Sequence, residues 1–167
     1  MLKGFLAAAM NLMSTVLTVT DLTAASYQLV GLAASIVGPS HGEVILVSTY
    51  GGGGNSRRSE PPSTPRISRD GWREQVETRL RQEAQLLERQ RQWCADQGVR
   101  CRAELYEDGA WPDFVLQSSR HAQVDLILVS MQLVEAPYQV SVEDIKRLAA
   151  VASCRFTMVG LPAPLAH

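Results

Sequence analysis

The residues of this chain that are able to do chemistry are few, and the clearest of them border a pattern that stops short. Val124-Asp125-Leu126-Ile127-Leu128-Val129-Ser130 is an apolar run that ends in a small polar residue. A parallel strand delivers the chain to a ligand crevice in this way. If the crevice holds a phosphate, glycines should follow, because bare backbone has to approach the oxygens closely. The chain continues instead as Met131-Gln132-Leu133-Val134-Glu135-Ala136-Pro137-Tyr138-Gln139-Val140, without a glycine, and no lysine or arginine lies between Met131 and Asp144. Asp21, directly after an earlier apolar run, offers a carboxylate that can hydrogen-bond a ligand or shape a strand-to-helix turn. Gly51-Gly52-Gly53-Gly54, with Arg57 and Arg58 behind it, is a second anion-binding candidate. It lacks a phosphate loop's lysine and the helix that should open at once.

Other reactive side chains lack a catalytic setting. His121 follows Arg120 at an expected helix end, where a histidine interacts with the helix dipole. His41 falls in a loop and His167 in the tail. No serine or cysteine has the surroundings of a nucleophile, and no acid pair is spaced as a dyad, so no enzymatic activity is expected. Cys94, Cys101 and Cys154 are too few and too scattered for a disulfide framework or a zinc site. They read as reduced thiols in a cytoplasmic protein, with Cys154 opening a buried strand. Arg57, Arg58, Arg66 and Arg69 make one segment basic, but no aromatics interleave them, which argues against a nucleic-acid site. Ser56, Ser59, Ser63 and Ser68 in that segment are candidate phosphorylation sites.

Composition sets the frame for these side chains. At 167 residues the chain fits one domain and buries enough surface to need no disulfide or metal support. Its net charge of −1 supplies no field to attract nucleic acid or an anionic membrane. Residues 1–12 hold one lysine before a short apolar run. That run is far below the about 20 apolar residues of a membrane span. They read as an N-terminal extension ahead of Met13, with a short amphipathic anchor as the competing view, and no transmembrane segment is expected.

Periodicity supplies the elements. Thr15 to Thr20 is β-branched and apolar, a strand. Thr23 is placed to cap a helix over Ala24 to Val37, with Leu29, Val30, Ala33, Ile36 and Val37 inward. Gly38-Pro39 ends it, and Glu43 to Tyr50 is a second buried strand. Residues 51–71 read as a flexible linker. Trp72 to Asp96 is the longest helical signal, with Trp72, Val76, Leu80, Leu87 and Cys94 on one stripe and Arg, Glu and Gln on a solvated face. Glu77 and Arg81 form a well-oriented pair on it. Val99 to Tyr106 alternates as a half-exposed strand near a sheet edge. Trp111 opens a helix to about His121 that buries Phe114, Val115 and Ser118, and the Val124–Ser130 strand follows. A helix from Ser141 turns Val142, Ile145, Leu148 and Ala149 inward, and Phe156 to Val159 is the last strand. Residues 13–162 thus form one α/β domain of five strands and four helices, and 163–167 are a tail.

The order and several stretches resemble the universal stress protein family. The first strand ending in Asp21, with its Ala- and Ser-containing helix, is similar to that family's opening. Glu107-Asp108-Gly109-Ala110-Trp111-Pro112, a helix and Val124–Ser130 are similar to its middle. Ser141-Val142, a helix and Cys154-Arg155-Phe156-Thr157-Met158-Val159 are similar to its end. The resemblance implies a three-layer sandwich around an open five-stranded parallel sheet in order 3-2-1-4-5, shared with adenine nucleotide alpha hydrolase-like proteins. It also implies a homodimer joined through the last strand, on which Phe156, Met158 and Val159 are the expected contacts. The family's nucleotide-binding branch carries Gly, two residues, Gly, about nine residues, then Gly and Ser or Thr after strand four. Here Ser141 matches the closing hydroxyl residue but Val140 precedes it. Asp21 matches the acidic residue that lies near adenosine.

Two functional expectations follow. One is a regulatory or stress-response domain that does not bind ATP in the family's usual way and acts by dimerising or by docking to a regulatory protein, without a cofactor. The other is an ATP- or AMP-binding protein with an atypical phosphate loop, for which Asp21, Ser130 and Ser141 are the contacts. A small-molecule enzyme on the same sheet is a third, held only because fold does not fix function.

Overall fold

The computed structural model of the chain describes residues 13–50, 69–107, 111–131 and 142–160. The expected extension 1–12, the linker up to residue 68, the glycine-free sequence 132–141 with Ser141, and the tail 163–167 lie outside the described residues. The elements are β1 (Thr15–Val19), α1 (Ser26–Val37), β2 (Glu43–Tyr50), α2 (Arg69–Asp96), β3 (Arg100–Glu107), α3 (Trp111–Ala122), β4 (Leu126–Ser130), α4 (Val142–Val151) and β5 (Arg155–Val159). A short 3-10 turn, Gly38–Ser40, joins α1 to β2.

The sheet is parallel throughout and runs β3-β2-β1-β4-β5, the order expected from the resemblance. β1 is central: Val16 lies between Val44 and Leu126, and Val19 between Val47 and Val129. Successive strand residues point to opposite faces, so each face collects its own core. Val16, Val44, Leu46, Leu126 and Leu128 meet Leu29, Val30 and Val37 of α1 and Leu87 and Cys94 of α2. Leu17, Val19, Ile45, Val47, Ile127 and Val129 meet Val115 and Leu116 of α3 and Ile145 and Leu148 of α4. Burial on both faces explains why β1, β2 and β4 read as near-continuous apolar runs.

The edge of the sheet where the strands start is clamped. Asp125, just before β4, accepts hydrogen bonds through Oδ2 from the Ser14 amide (2.8 Å), the Thr15 amide (2.9 Å) and the Ser14 hydroxyl (3.0 Å). Its own amide donates to the Thr15 carbonyl at 2.9 Å, and the Glu43 amide donates to the Ser14 carbonyl at 2.7 Å. Burial acts to raise the Asp125 pKa, but the bonds from Thr15 and Ser14, helped by the Arg155 charge, outweigh it and hold the carboxyl below its usual value. Three strands are therefore fixed in register at their first residues by one side chain and two amides.

Several local expectations are corrected. Thr23 caps nothing: α1 opens after Ala25 with no side-chain cap, and the Thr23 hydroxyl donates to Asp21 instead. α2 begins at Arg69, so residues 69–71 belong to it and not to the linker. Ala149 is exposed, while Ile145 and Leu148 carry the inner face of α4. Cys154 does not open a buried strand. β5 is the sheet's edge, and Cys154 is half-buried just ahead of it. The Glu77–Arg81 pair forms at 3.5 Å between exposed groups, where such pairs contribute little.

Candidate functional site

The chain moves outward from β1 to β2 and β3 on one side, then crosses to β4 and β5 on the other. The carboxyl ends of β1 and β4 therefore flank the topological switch point, where open α/β sheets form their ligand crevice. Val19 opposite Val129 brings Thr20 and Ser130 to this place. Ser130 is buried and Met131, the next residue, is 50 % exposed. Two of the residues picked from sequence, Asp21 and Ser130, are thus at the switch point; the third, Ser141, is outside the described residues.

Asp21 is part of a tightly built turn. Its Oδ1 accepts the Thr23 amide at 3.0 Å and the Thr23 hydroxyl at 2.7 Å. This is an aspartate turn, in which the side chain imitates a backbone carbonyl. Leu22 between them has φ 62°, in the left-handed region, which a leucine adopts only when its surroundings impose it. The constraint comes from beneath. The Leu22 amide donates to Thr20 Oγ1 at 3.1 Å, and the Thr20 hydroxyl donates to Gln90 Oε1 at 2.7 Å. Gln90 Nε2 then donates to Ser26 Oγ at 2.6 Å, and the Ser26 hydroxyl donates to the Thr23 carbonyl at 2.7 Å. Thr20, Gln90 and Ser26 are each no more than 3 % exposed. A glutamine of α2 thus fastens both ends of the β1–α1 turn that holds up Asp21.

Sequence reasoning missed Gln90, reading the glutamines of α2 as solvated. The signal was present in its spacing: Gln90 is three residues after Leu87 and four before Cys94, both buried. A second missed group lies at the β3 edge. Tyr106 Oη lies 2.6 Å from both Glu104 Oε2 and Ser118 Oγ, and Ser118 Oγ donates to the same carboxylate oxygen at 2.6 Å. Phe114 stacks on the Tyr106 ring at 4.5 Å between centroids. Burial, and then the bond to Glu104, push the Tyr106 phenol above its usual pKa.

The histidines are elsewhere. His41 precedes β2 and His121 ends α3, so both sit at the starting edge of the sheet, away from the switch point. His41 closes the 3-10 turn with φ 52°, and His121 Nδ1 bonds the Gln117 carbonyl of its own helix at 2.8 Å. No group of three metal-ligating side chains occurs among the described residues. No helix among them is long and apolar enough to cross a membrane.

The remaining site picked from sequence is the last strand. Phe156 and Met158 are half-buried against the α3–α4 core and Val159 against the α1–α2 core. Their side chains are therefore partly used within the chain. The backbone is what the edge leaves open. The Arg155 amide donates to the Asp125 carbonyl at 3.1 Å. In a parallel ladder alternate residues share a direction, so Thr157 and Val159 also face β4, while the amides and carbonyls of Phe156 and Met158 face outward.

No family model matches the chain, and no curated protein matches its sequence. Solved structures do match its fold. The universal stress protein UspA from Lactobacillus plantarum superposes with a TM-score of 0.64 at 12% identity, covering 88% of this chain and 97% of that one. A universal stress protein in complex with cAMP gives 0.58 at 16% identity, over 89% of this chain and 97% of its own. A universal stress protein family protein from Arabidopsis thaliana with AMP bound gives 0.57 at 14% identity, over 90% and 93%. The chain therefore has the universal stress protein fold.

Proposed function

We propose that this chain is a regulatory or stress-response domain on the universal stress protein fold, acting through self-association or through docking to a partner protein, and not holding ATP through a glycine-rich phosphate loop. The observation that carries this reading is the sequence Met131–Ser141, which follows β4 and contains no glycine. A phosphate bound after this strand would need bare backbone, which that sequence does not offer. Asp21 adds to it, since its Oδ1 is engaged by Thr23. Calorimetric titration with ATP and AMP should give no heat. Micromolar binding that disappears in Asp21→Ala would replace this reading with the alternative, a nucleotide binder with an atypical loop. That alternative draws its support from the cAMP and AMP held by proteins of the same fold, and its contacts would be Asp21, Ser130 and Ser141.

Self-association has a defined test. If β5 pairs with β5 of a second copy, the outward amides of Phe156 and Met158 are what join the ladder. Met158→Pro removes one of those amides without removing a bond to β4, and should leave a folded monomer in sedimentation velocity. Met158→Ala loses a similar amount of packing but keeps the amide, and should remain a dimer. A wild-type chain that stays monomeric at high concentration would remove this mode of action.

A further inference from the structure

Cys94 and Cys101 are brought together by the fold. Cys94 is in the last turn of α2, and Cys101 is the second residue of β3. Gln97-Gly98-Val99 reverses the chain between them: the Gln97 and Gly98 amides donate to the Cys94 and Ala95 carbonyls at 3.1 and 2.9 Å, and Gly98 takes φ 78°. β3 then runs back beneath the helix, and Cys101 packs against the cluster that contains Cys94. Cys94 is fully buried, whereas Cys101 is half-buried on an edge strand.

We propose that Cys94 and Cys101 form a redox site, oxidised by hydrogen peroxide to an intramolecular disulfide that ties the end of α2 to β3 and reopened by a thiol reductant. The Cys101 thiol donates to the Arg102 carbonyl at 3.9 Å. The neighbouring Cys101 lowers the Cys94 pKa against the effect of burial. Cys94, with burial, raises that of Cys101, and the Arg91 charge works in the opposite direction. Protons therefore leave the pair in two steps, the first from Cys94.

Cys101 is the less buried of the two. As the Cys94 thiolate takes its proton, the Cys101 sulfur attacks one peroxide oxygen; the S–O bond forms, the O–O bond breaks, and the departing hydroxide takes the proton from Cys94 to become water. Cys101 is now a sulfenic acid. The Cys94 thiolate attacks that sulfur, the S–S bond forms, the S–O bond breaks, and the second hydroxide leaves as water. Two thiols lose two electrons and one peroxide becomes two waters. Cys154, on the opposite core beside β5, has neither role.

The test is peptide mapping of the reduced full-length chain after peroxide, under native conditions, with alkylation and no reduction. A Cys94–Cys101 link should appear while Cys154 remains alkylated, and dithiothreitol should restore alkylation of both partners. The link should form more slowly in urea, where the fold no longer holds the sulfurs together. Cys94→Ser should stop at a Cys101 sulfenic acid that dimedone captures. Persistent alkylation of both thiols, over-oxidation of Cys101 with Cys94 unchanged, a link between two chains instead of within one, or an equal rate in urea would each overturn the proposal.

Discussion

Gly42→Ala should cost the protein about 3 kcal/mol, the upper end of overpacking penalties. A β-carbon on Gly42 would lie 2.3 Å from the Ser14 carbonyl oxygen, 2.9 Å from its carbon and 3.0 Å from Val37 Cβ. The first two are backbone, and that backbone has no slack. The Ser14 carbonyl accepts the Glu43 amide that starts the β1–β2 ladder. The Ser14 amide and hydroxyl and the Thr15 amide are all held by Asp125. Relief of the clash must break the register of β1 on one side or the other. In a domain of this length the cost corresponds to a fall in Tm of about 6–12 °C. Urea melts should show the midpoint fall at unchanged slope. Gly98→Ala makes a useful contrast, because its β-carbon would meet nothing within 4 Å. Its penalty comes only from φ 78° and should be about 1–2 kcal/mol. A Gly42→Ala protein as stable as the wild type would show that the Ser14–Asp125 clamp yields easily.

The two substitutions also mark what was legible in the sequence. Strand and helix order and the half-exposed character of β3 both follow from hydrophobic period, which is a local signal. The sheet order did not follow from period; it came with the resemblance and matches the structure. Gly42 carried no such signal, because nothing local shows that Ser14, 28 positions earlier, passes against it. Thr23 was misassigned for a related reason. A hydroxyl near a helix start has two local partners, and Asp21 outcompetes the helix amides for it. At the candidate site the positions of Asp21 and Ser130 were readable, since both close an apolar strand. The support under Asp21 was not, because it comes from a helix some 70 residues away through a residue type that is usually solvated. The thiol pair was hidden differently: a spacing of seven has no meaning until one cysteine is on a helix and the other on the strand that returns beneath it.

Gln90→Leu should destabilise by about 2–3 kcal/mol, although leucine fills much the same volume and suits an apolar core. The loss is in the partners. The Thr20 hydroxyl would keep the Leu22 amide but lose its acceptor, and Ser26 Oγ would lose the Gln90 donor. Both residues are buried, so water is poorly placed to replace either bond. The effect should be local before it is global. Leu22 holds φ 62° while Thr20 and Gln90 hold the turn, and with Gln90 gone the strained residue is free to relax. Native-state hydrogen exchange should therefore show the Leu22 and Ser26 amides losing more protection than the core amides of β2. Gln85→Leu, at an exposed position of the same helix, should stay within about 0.5 kcal/mol of wild type. A double-mutant cycle of Thr20→Val with Gln90→Leu should give a coupling of about 1 kcal/mol or more, since both changes remove the same bond. If Gln90→Leu leaves stability and the protection of Leu22 and Ser26 unchanged, the turn beneath Asp21 is held by its own residues. The switch point is then shaped by β1 and α1 alone, without α2.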